Sequence, residues 1–275
     1  GINQKSEYYE KSIRIMIDIE QIKGFFPEDI RQNITSKKYM IKEYIQLMIL
    51  DWLSTSAYVQ KVVFIGGSNL RLVKGIDRFS EDLDFDCKDF TKDDFIRMTD
   101  DILVFLQRSG FRVETRDRNL EKLTAFRRNF YFPELLYDLG LSGHKEERFL
   151  IKVESQDQGF RYTPKVVFIR RAGFFFPFPV PPDSILCAMK LSALLTRQKG
   201  RDFYDAMFLL GQTDPDYQYL SVKHNVHTKE ELKTALSQVV EKTDLKKKYR
   251  DFEHLLFKQS DAEKVLLFQE FVNQL

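Results

Sequence analysis

The chain has 275 residues, 43 Lys and Arg against 41 Asp and Glu, 43% hydrophobic residues and a net charge of +2 at pH 7. That apolar content excludes a disordered chain. The near balance of charge excludes a globally basic nucleic-acid binder, so any anion-binding surface must come from local clustering. The length suits one large or two modest domains. No apolar run approaches the roughly 20 residues that span a bilayer; the stretch from Ala172 to Val180 is broken by Pro177 and Pro179, and the expectation is a protein that does not cross a membrane. Cys87 and Cys187 lie far apart, which fits a reducing, cytoplasmic compartment better than a stapled secreted fold. Gly1 to Lys5 lacks the apolar core of a signal peptide, and the leading glycine reads as a trimmed tag and is set aside.

Residues 8–54 are rich in Glu, Lys, Arg, Ile, Leu and Met. Within them Met40, Ile41, Tyr44, Ile45, Met48, Ile49 and Trp52 recur at helical spacing and predict an amphipathic helix over 35–53, its stripe serving core packing. Residues 61–65 then read as a strand, Gly66-Gly67-Ser68 as a tight turn and 69–73 as a helix. A second strand at 83–86 follows a turn over 77–81, and a Thr or Asp cap opens a helix over 91–109. Further strands are predicted at 111–115, 123–132, 147–154 and 165–169. The segment 173–183 holds four of the eight prolines and marks a boundary. Its clustered phenylalanines are assigned to packing between the two halves. Beyond it, Asp183 or Ser184 caps a long helix, and 229–243, 245–257 and 261–275 read as helical. The expectation is an α+β fold, with a mixed sheet and flanking helices over 1–178 and an all-α region over 179–275.

The chemistry concentrates in Gly66-Gly67-Ser68 followed, after thirteen residues, by Asp82-Leu83-Asp84. Glycines at a strand-to-helix turn let backbone N–H groups approach an anion, with the helix dipole and the Ser68 hydroxyl adding to the attraction. Asp82 and Asp84 are two apart on a strand, so both carboxylates project from one face and can share a hard divalent cation such as Mg²⁺. Two such metals can bridge triphosphate oxygens and stabilise a leaving pyrophosphate. Glu154 is the candidate third acid. Alternation along 149–154 puts Phe149, Ile151 and Val153 on one face and Leu150, Lys152 and Glu154 on the other; Asp86 and Asp157 compete for the role.

GGSNLRLVKGIDRFSEDLDFD, residues 66–86, resembles the signature of the nucleotidyltransferase AbiEii/AbiGii toxin family, within the DNA polymerase β-type nucleotidyltransferase superfamily. The resemblance implies the nucleotidyltransferase fold. It gives Gly66, Gly67 and Ser68 the NTP phosphates and Asp82 and Asp84 the Mg²⁺, with Arg78 or Ser80 helping to position phosphate. Lys190 through Ala193, then Arg197 to Asp205, resemble the family's later motifs, a lysine-bearing helix and an Arg-Asp-x-x-Asp segment. On one continuous helix Lys190, Arg197 and Arg201 would fall within about 20° of one direction and line a triphosphate-facing surface. Asp202 would then point away unless the helix breaks near Gly200, and a break is expected. By the resemblance Lys190 and Asp202 are functional, Asp205 orients Arg197 or Arg201, and the third carboxylate is a Glu where many relatives place an Asp. The implied activity is Mg²⁺-dependent transfer of NMP from an NTP to a tRNA 3′ end or a nucleotide. The implied role is growth arrest or abortive infection against phage, restrained by a separate antitoxin. A small-molecule or protein-side-chain acceptor, or a silent nucleotide-binding module, are the alternatives.

Weaker signals are read more blandly. His224 and His227, with His254, have no Cys or acidic partner at ligand spacing and read as surface histidines. Arg127-Arg128 and Arg170-Arg171 suit either a nucleic-acid backbone or strand-end solvation. Cys87 follows the acidic strand with no histidine nearby to make it a nucleophile.

Overall fold

In chain order, α1 (Ile19–Lys23), α2 (Glu28–Gln32) and α3 (Lys37–Ser54) lead into β1 (Val62–Ile65) and α4 (Gly66–Leu72). Next come β2 (Asp82–Cys87), α5 (Lys92–Arg108), β3 (Glu114–Arg116), β4 (Phe126–Tyr131), α6 (Leu135–Asp138) and β5 (Leu150–Gln156). A hairpin of β6 (Lys165–Arg171) and β7 (Phe174–Val180) precedes α7 (Asp183–Arg197), α8 (Gly200–Leu210), α9 (Tyr217–His224), α10 (Lys229–Glu241), α11 (Leu245–Lys248) and α12 (Phe268–Asn273). This computed structural model describes residues 17–116 and 126–275, so the start of the 8–54 stretch and residues 123–125 of an expected strand lie outside the described residues. Among the described residues no helix is long and apolar enough to cross a membrane.

The chain divides into two units. One comprises the chain up to Phe64 with Ser80–Gln158 and Val166–Pro179; the other comprises Ile65–Phe79, Gly159–Lys165 and Val180–Leu275. The first unit is built on a five-stranded sheet of order β1-β2-β5-β4-β3. β2 and β5 run parallel, while β4 is antiparallel to both β5 and β3. Burial alternates along β5, with Ile151, Val153 and Ser155 inside and Leu150, Lys152 and Glu154 less covered. On β2, Leu83 and Phe85 take the inner face. Phe85 meets Phe64 of β1 and Phe178 of β7 at ring separations of 6.0 and 6.1 Å. Each fully buried Phe or Leu contributes about 1.5–3 kcal/mol. Helix α5 covers the same face, stacking Phe95 on Phe126 at 5.5 Å. Its start is a capping box: the Asp94 N–H donates to Thr91 Oγ1 and the Thr91 N–H to the Asp94 carboxylate.

Several sequence expectations shift. The strand expected over 111–115 is β3, because Phe111 and Val113 are drawn into the core and leave only Glu114–Arg116 to pair. The proline-rich boundary segment is itself a strand, β7. Ala172 and Gly173 both have positive φ (49° and 81°), which suits a two-residue hairpin turn matched to strand twist. Pro177 and Pro179 are tolerated because β7 belongs to a two-stranded sheet and has an edge that needs no N–H donors.

The second unit is helical apart from its short linking segments. Asp183 lies inside α7 rather than capping it, since Pro182 holds the N-cap. The helix expected over 245–257 is a four-residue α11 followed by 3₁₀ turns. Its continuation is prevented by an extended Leu256, whose stretch pairs with residues 77–79. The Phe79 N–H donates to the Leu255 carbonyl at 2.8 Å and the Phe257 N–H to the Asp77 carbonyl at 3.1 Å. Residues 259–267 are likewise 3₁₀ before α12 begins.

Candidate active site

In the first unit the strand register assembles one polar face. Asp82 lies opposite Lys152 and Asp84 opposite Glu154 across β2 and β5; Arg127 and Asn129 of β4 continue the two rows past Glu154 and Lys152. Lys152 Nζ sits 3.2 Å from Asp82 Oδ2 and 3.9 Å from Glu154 Oε2, and Arg127 Nε is 2.6 Å from Glu154 Oε2. Three carboxylates on neighbouring strands would repel one another, and these two cations offset that repulsion. The competing acids are engaged elsewhere. Asp86 is buried and accepts the Gln158 N–H at 2.9 Å, while Asp157 pairs with Lys88 at 2.5 Å. Among the described residues no cluster of three or more His, Cys, Asp or Glu has metal-holding geometry. Asp82 and Asp84 nevertheless present hard oxygen donors on one side of the sheet, which suits a divalent cation. Lys152 and Arg127 had no assigned part in the acidic cluster. Lys152 was legible as a neighbour of Glu154 on the alternating strand, but the pairing of β4 with β5 that delivers Arg127 has no local sequence signal.

In the second unit, Gly66 directly follows β1 with φ of 80°, a conformation that side chains with a Cβ rarely adopt, and it opens α4. Gly67 is half-buried, whereas Ser68 is fully buried. Arg78 is also buried. Its Nε and Nη2 donate to the two Asp205 oxygens at 2.8 and 2.7 Å, and its Nη1 donates to the Phe79 carbonyl at 2.9 Å. Lys190 Nζ reaches the same carboxylate at 2.7 Å. Burial alone would raise the Asp205 carboxyl, but the two cations overcome it and hold it well below the usual carboxylate range. Asp205 was expected to orient Arg197 or Arg201; it binds Arg78 and Lys190 instead, and Asp202 takes Arg197. Ser80, in the first unit, is half-buried and its carbonyl accepts from Gln46 Nε2 at 3.0 Å.

The single cationic face of Lys190, Arg197 and Arg201 does not form, because the helix breaks. The break lies at Gln198, whose φ of 51° ends α7, and Gly200 starts α8 rather than ending the first helix. Only glycine fits there, since a Cβ would fall 1.9 Å from the Lys248 carbonyl oxygen. Arg201 is half-buried in the first turn of α8. Asp202, fully buried, accepts the Lys199 N–H at 2.9 Å and grips Arg197 at 2.7–3.2 Å. His224 meets Ser192 Oγ at 2.7 Å, and burial followed by Lys223 pushes its imidazole below the ordinary value. His227 pairs with Asn225 at 2.8 Å. Burial, then Asp86, pushes the Cys87 thiol up to about 12.

Known proteins supply the context for this geometry. Residues 48–272 match the family model described as nucleotidyl transferase AbiEii toxin, type IV toxin–antitoxin system. MenT4, a nucleotidyltransferase toxin from Mycobacterium tuberculosis H37Rv, has a similar fold at a TM-score of 0.56 and 17% identity, covering 94% of this chain and 90% of that one. The Helicobacter pylori protein JHP933 is similar at 0.49 and 18% identity, covering 86% of this chain and 92% of its own. A putative nucleotidyltransferase from the same organism is similar at 0.49 and 20% identity, covering 86% and 93%. No curated protein sequence matches. The fold is the nucleotidyltransferase fold, and the family's chemistry brings an NTP substrate, a divalent metal and an antitoxin counterpart. Spanning most of the chain, the family match makes this protein a member of the AbiEii nucleotidyl transferase toxin family and a nucleotidyltransferase.

Proposed function

We propose that the chain is a Mg²⁺-dependent toxin that transfers NMP from an NTP to an acceptor such as a tRNA 3′ end or a nucleotide, with RNA the favoured acceptor. Acting in the cytoplasm, it would arrest growth in abortive infection against phage until its separate antitoxin restrains it. One observation carries the reading: the register that sets Glu154 opposite Asp84, with Asp82 on the same side of β2. Asp82, Asp84 and Glu154 would hold the metal. When bound, Mg²⁺ supplies neutralisation of the triphosphate and a more acidic acceptor hydroxyl.

The chain's own groups do the remaining work. Backbone N–H groups of Gly66 and Gly67 bind phosphate oxygens, with the Ser68 hydroxyl at the same turn. Lys152 holds Asp82 and Glu154 together as a cation between them, and Arg127 orients Glu154 until the acceptor arrives. Glu154 then takes the proton from the acceptor hydroxyl as its oxygen attacks the α-phosphorus and pyrophosphate leaves. Arg197, its side chain 40% exposed and steadied by Asp202, neutralises the triphosphate. Lys190 and Arg78, both buried against the Asp205 carboxylate, hold the helices on which Arg197 stands and do not themselves reach the triphosphate. Arg201 lies on the helix that Asp202 caps and adds a further positive charge.

Label transfer from each α-labelled NTP onto total tRNA, with Mg²⁺, tests this. Labelling by one NTP that disappears in Asp82→Asn supports it. NTP binding without any label on RNA rejects the RNA acceptor, and label on protein or a small molecule would replace it.

A further inference from the structure

The polar face of the first unit's sheet extends beyond the carboxylates. One cross-strand row reads Asp82 on β2, Lys152 on β5, Asn129 on β4 and Arg116 on β3; the next reads Asp84, Glu154 and Arg127. Neighbouring strands lie about 4.8 Å apart, so the first row runs about 14 Å from Asp82 to Arg116. At its far end the Arg116 guanidinium lies 3.8 Å from the centroid of the Tyr131 ring. Tyr131 and Asn129 are two apart on β4 and share this face. Arg116 and Arg127 remain about half exposed. Leu150 flanks Tyr131 and Glu114 pairs with Arg116 at 3.3 Å, yet the stacked ring and planar cation stay accessible on a largely polar face.

We propose that this row is the track for the single-stranded 3′ end of the RNA acceptor, with the reacting hydroxyl at Asp82 and Asp84 and an upstream base stacked on Arg116 and Tyr131. The inference rests on the RNA-acceptor reading above. Three features favour a nucleic-acid strand. Lys152, Arg127 and Arg116 put one cation on each of three successive strands; each is paired with a carboxylate of the same face, Arg116 with Glu114 at 3.3 Å, so an entering strand would exchange those pairs for phosphate contacts. A guanidinium backed by a tyrosine ring is a stacking platform tolerant of base identity. Asn129, between platform and carboxylates, offers an amide donor and acceptor to a base edge.

The test uses the full chain, a fluorescent single-stranded oligoribonucleotide of mixed sequence, and labelling of total tRNA. Arg116→Ala and Tyr131→Leu should each weaken oligonucleotide binding roughly tenfold, while NTP binding and melting temperature hold. Arg116→Lys, which keeps the charge and loses the plane, should recover only part of the affinity. The salt slope of binding should fall by about one in Arg116→Ala. If wild type labels tRNA and both variants bind and label like wild type, the platform is wrong and the proposed function stands. If wild type neither binds the oligonucleotide nor labels tRNA, both fail together. If the variants lose oligonucleotide binding yet label tRNA like wild type, the face holds RNA away from the reaction and the inference is overturned.

Discussion

Asp205→Asn isolates the ion cluster at the centre of the second unit. The Asp205 carboxylate is fully buried and neutralises two cations whose side chains are 2% and 7% exposed, Arg78 and Lys190. Asparagine keeps the shape but removes the charge. Arg78 cannot shed its charge, because a guanidinium stays charged in proteins. Breaking a buried pair on one side costs about 3–5 kcal/mol, most of it the exposed cost of a charge left without compensation. At roughly 2 °C per kcal/mol for a chain of this length, the melting temperature should fall by about 6–10 °C. The double variant Asp205→Asn with Arg78→Met should recover part of that loss, since the stranded charge is gone. The pH dependence follows from the sign. The folded carboxyl is held below its unfolded value, so its stability is fully present above the ordinary carboxylate range and is lost as pH falls through the folded value. The gap between wild type and variant should be flat from neutral pH down to about 5 and narrow below about 4. Calorimetric melts of both proteins across that range measure it. A variant melting within about 1 °C of wild type at pH 7 would show that the cluster contributes little to stability.

Other outcomes are expected at positions of different character. Asp82→Asn should abolish NMP transfer while changing stability by no more than about 0.5 kcal/mol, because it removes a partly exposed member of an acidic group; comparing turnover with urea unfolding separates the two effects. Gly200→Ala should destabilise by about 3 kcal/mol, since its Cβ would collide with the Lys248 backbone carbonyl, and an unchanged urea midpoint would contradict the close approach. Thr91→Ala should cost about 1 kcal/mol through loss of the α5 cap, with Thr91→Ser restoring most of it in the same denaturation assay. Cys87 should resist thiol reagents at pH 8 in the native protein and react on unfolding, because its buried thiol is pushed up to about 12; fast native labelling of that residue would contradict its burial.

How far the sequence could be read depended on the range of the interactions involved. The alternation of β2 and β5 and the Thr91 cap depend on residues within one element and were legible from spacing alone, whereas Gly66, Gly67 and Ser68, expected as a tight turn before a helix over 69–73, already form the first turn of α4. The break before α8 was legible as well, although it lies at Gln198 and Gly200 is required by a backbone neighbour remote in sequence. Features set by distant partners were not. Nothing around Arg127 shows that β4 will pair antiparallel with β5 and bring it to Glu154, and an arginine in the charged 78–82 loop has no local mark of a buried carboxylate waiting on α8. The C-terminal stretch failed for the same reason. Residues 245–257 carry a helical pattern, but pairing with residues 77–79 draws Leu256 into extended backbone, and tertiary hydrogen bonds outweigh propensity.

The pairing of residues 77–79 with 255–257 also bears on synthesis. The segment that leads into Asp82 and Asp84 obtains its backbone partners from a stretch translated far later, and Arg78 waits for Asp205 in between. A ribosome-bound chain that stops before residue 255 cannot make those bonds, and such long-range closure is slow to form. The stretch before the acidic strand therefore acquires its backbone partners only after residues 255–257 have been made, so the order of synthesis and the order of folding differ here.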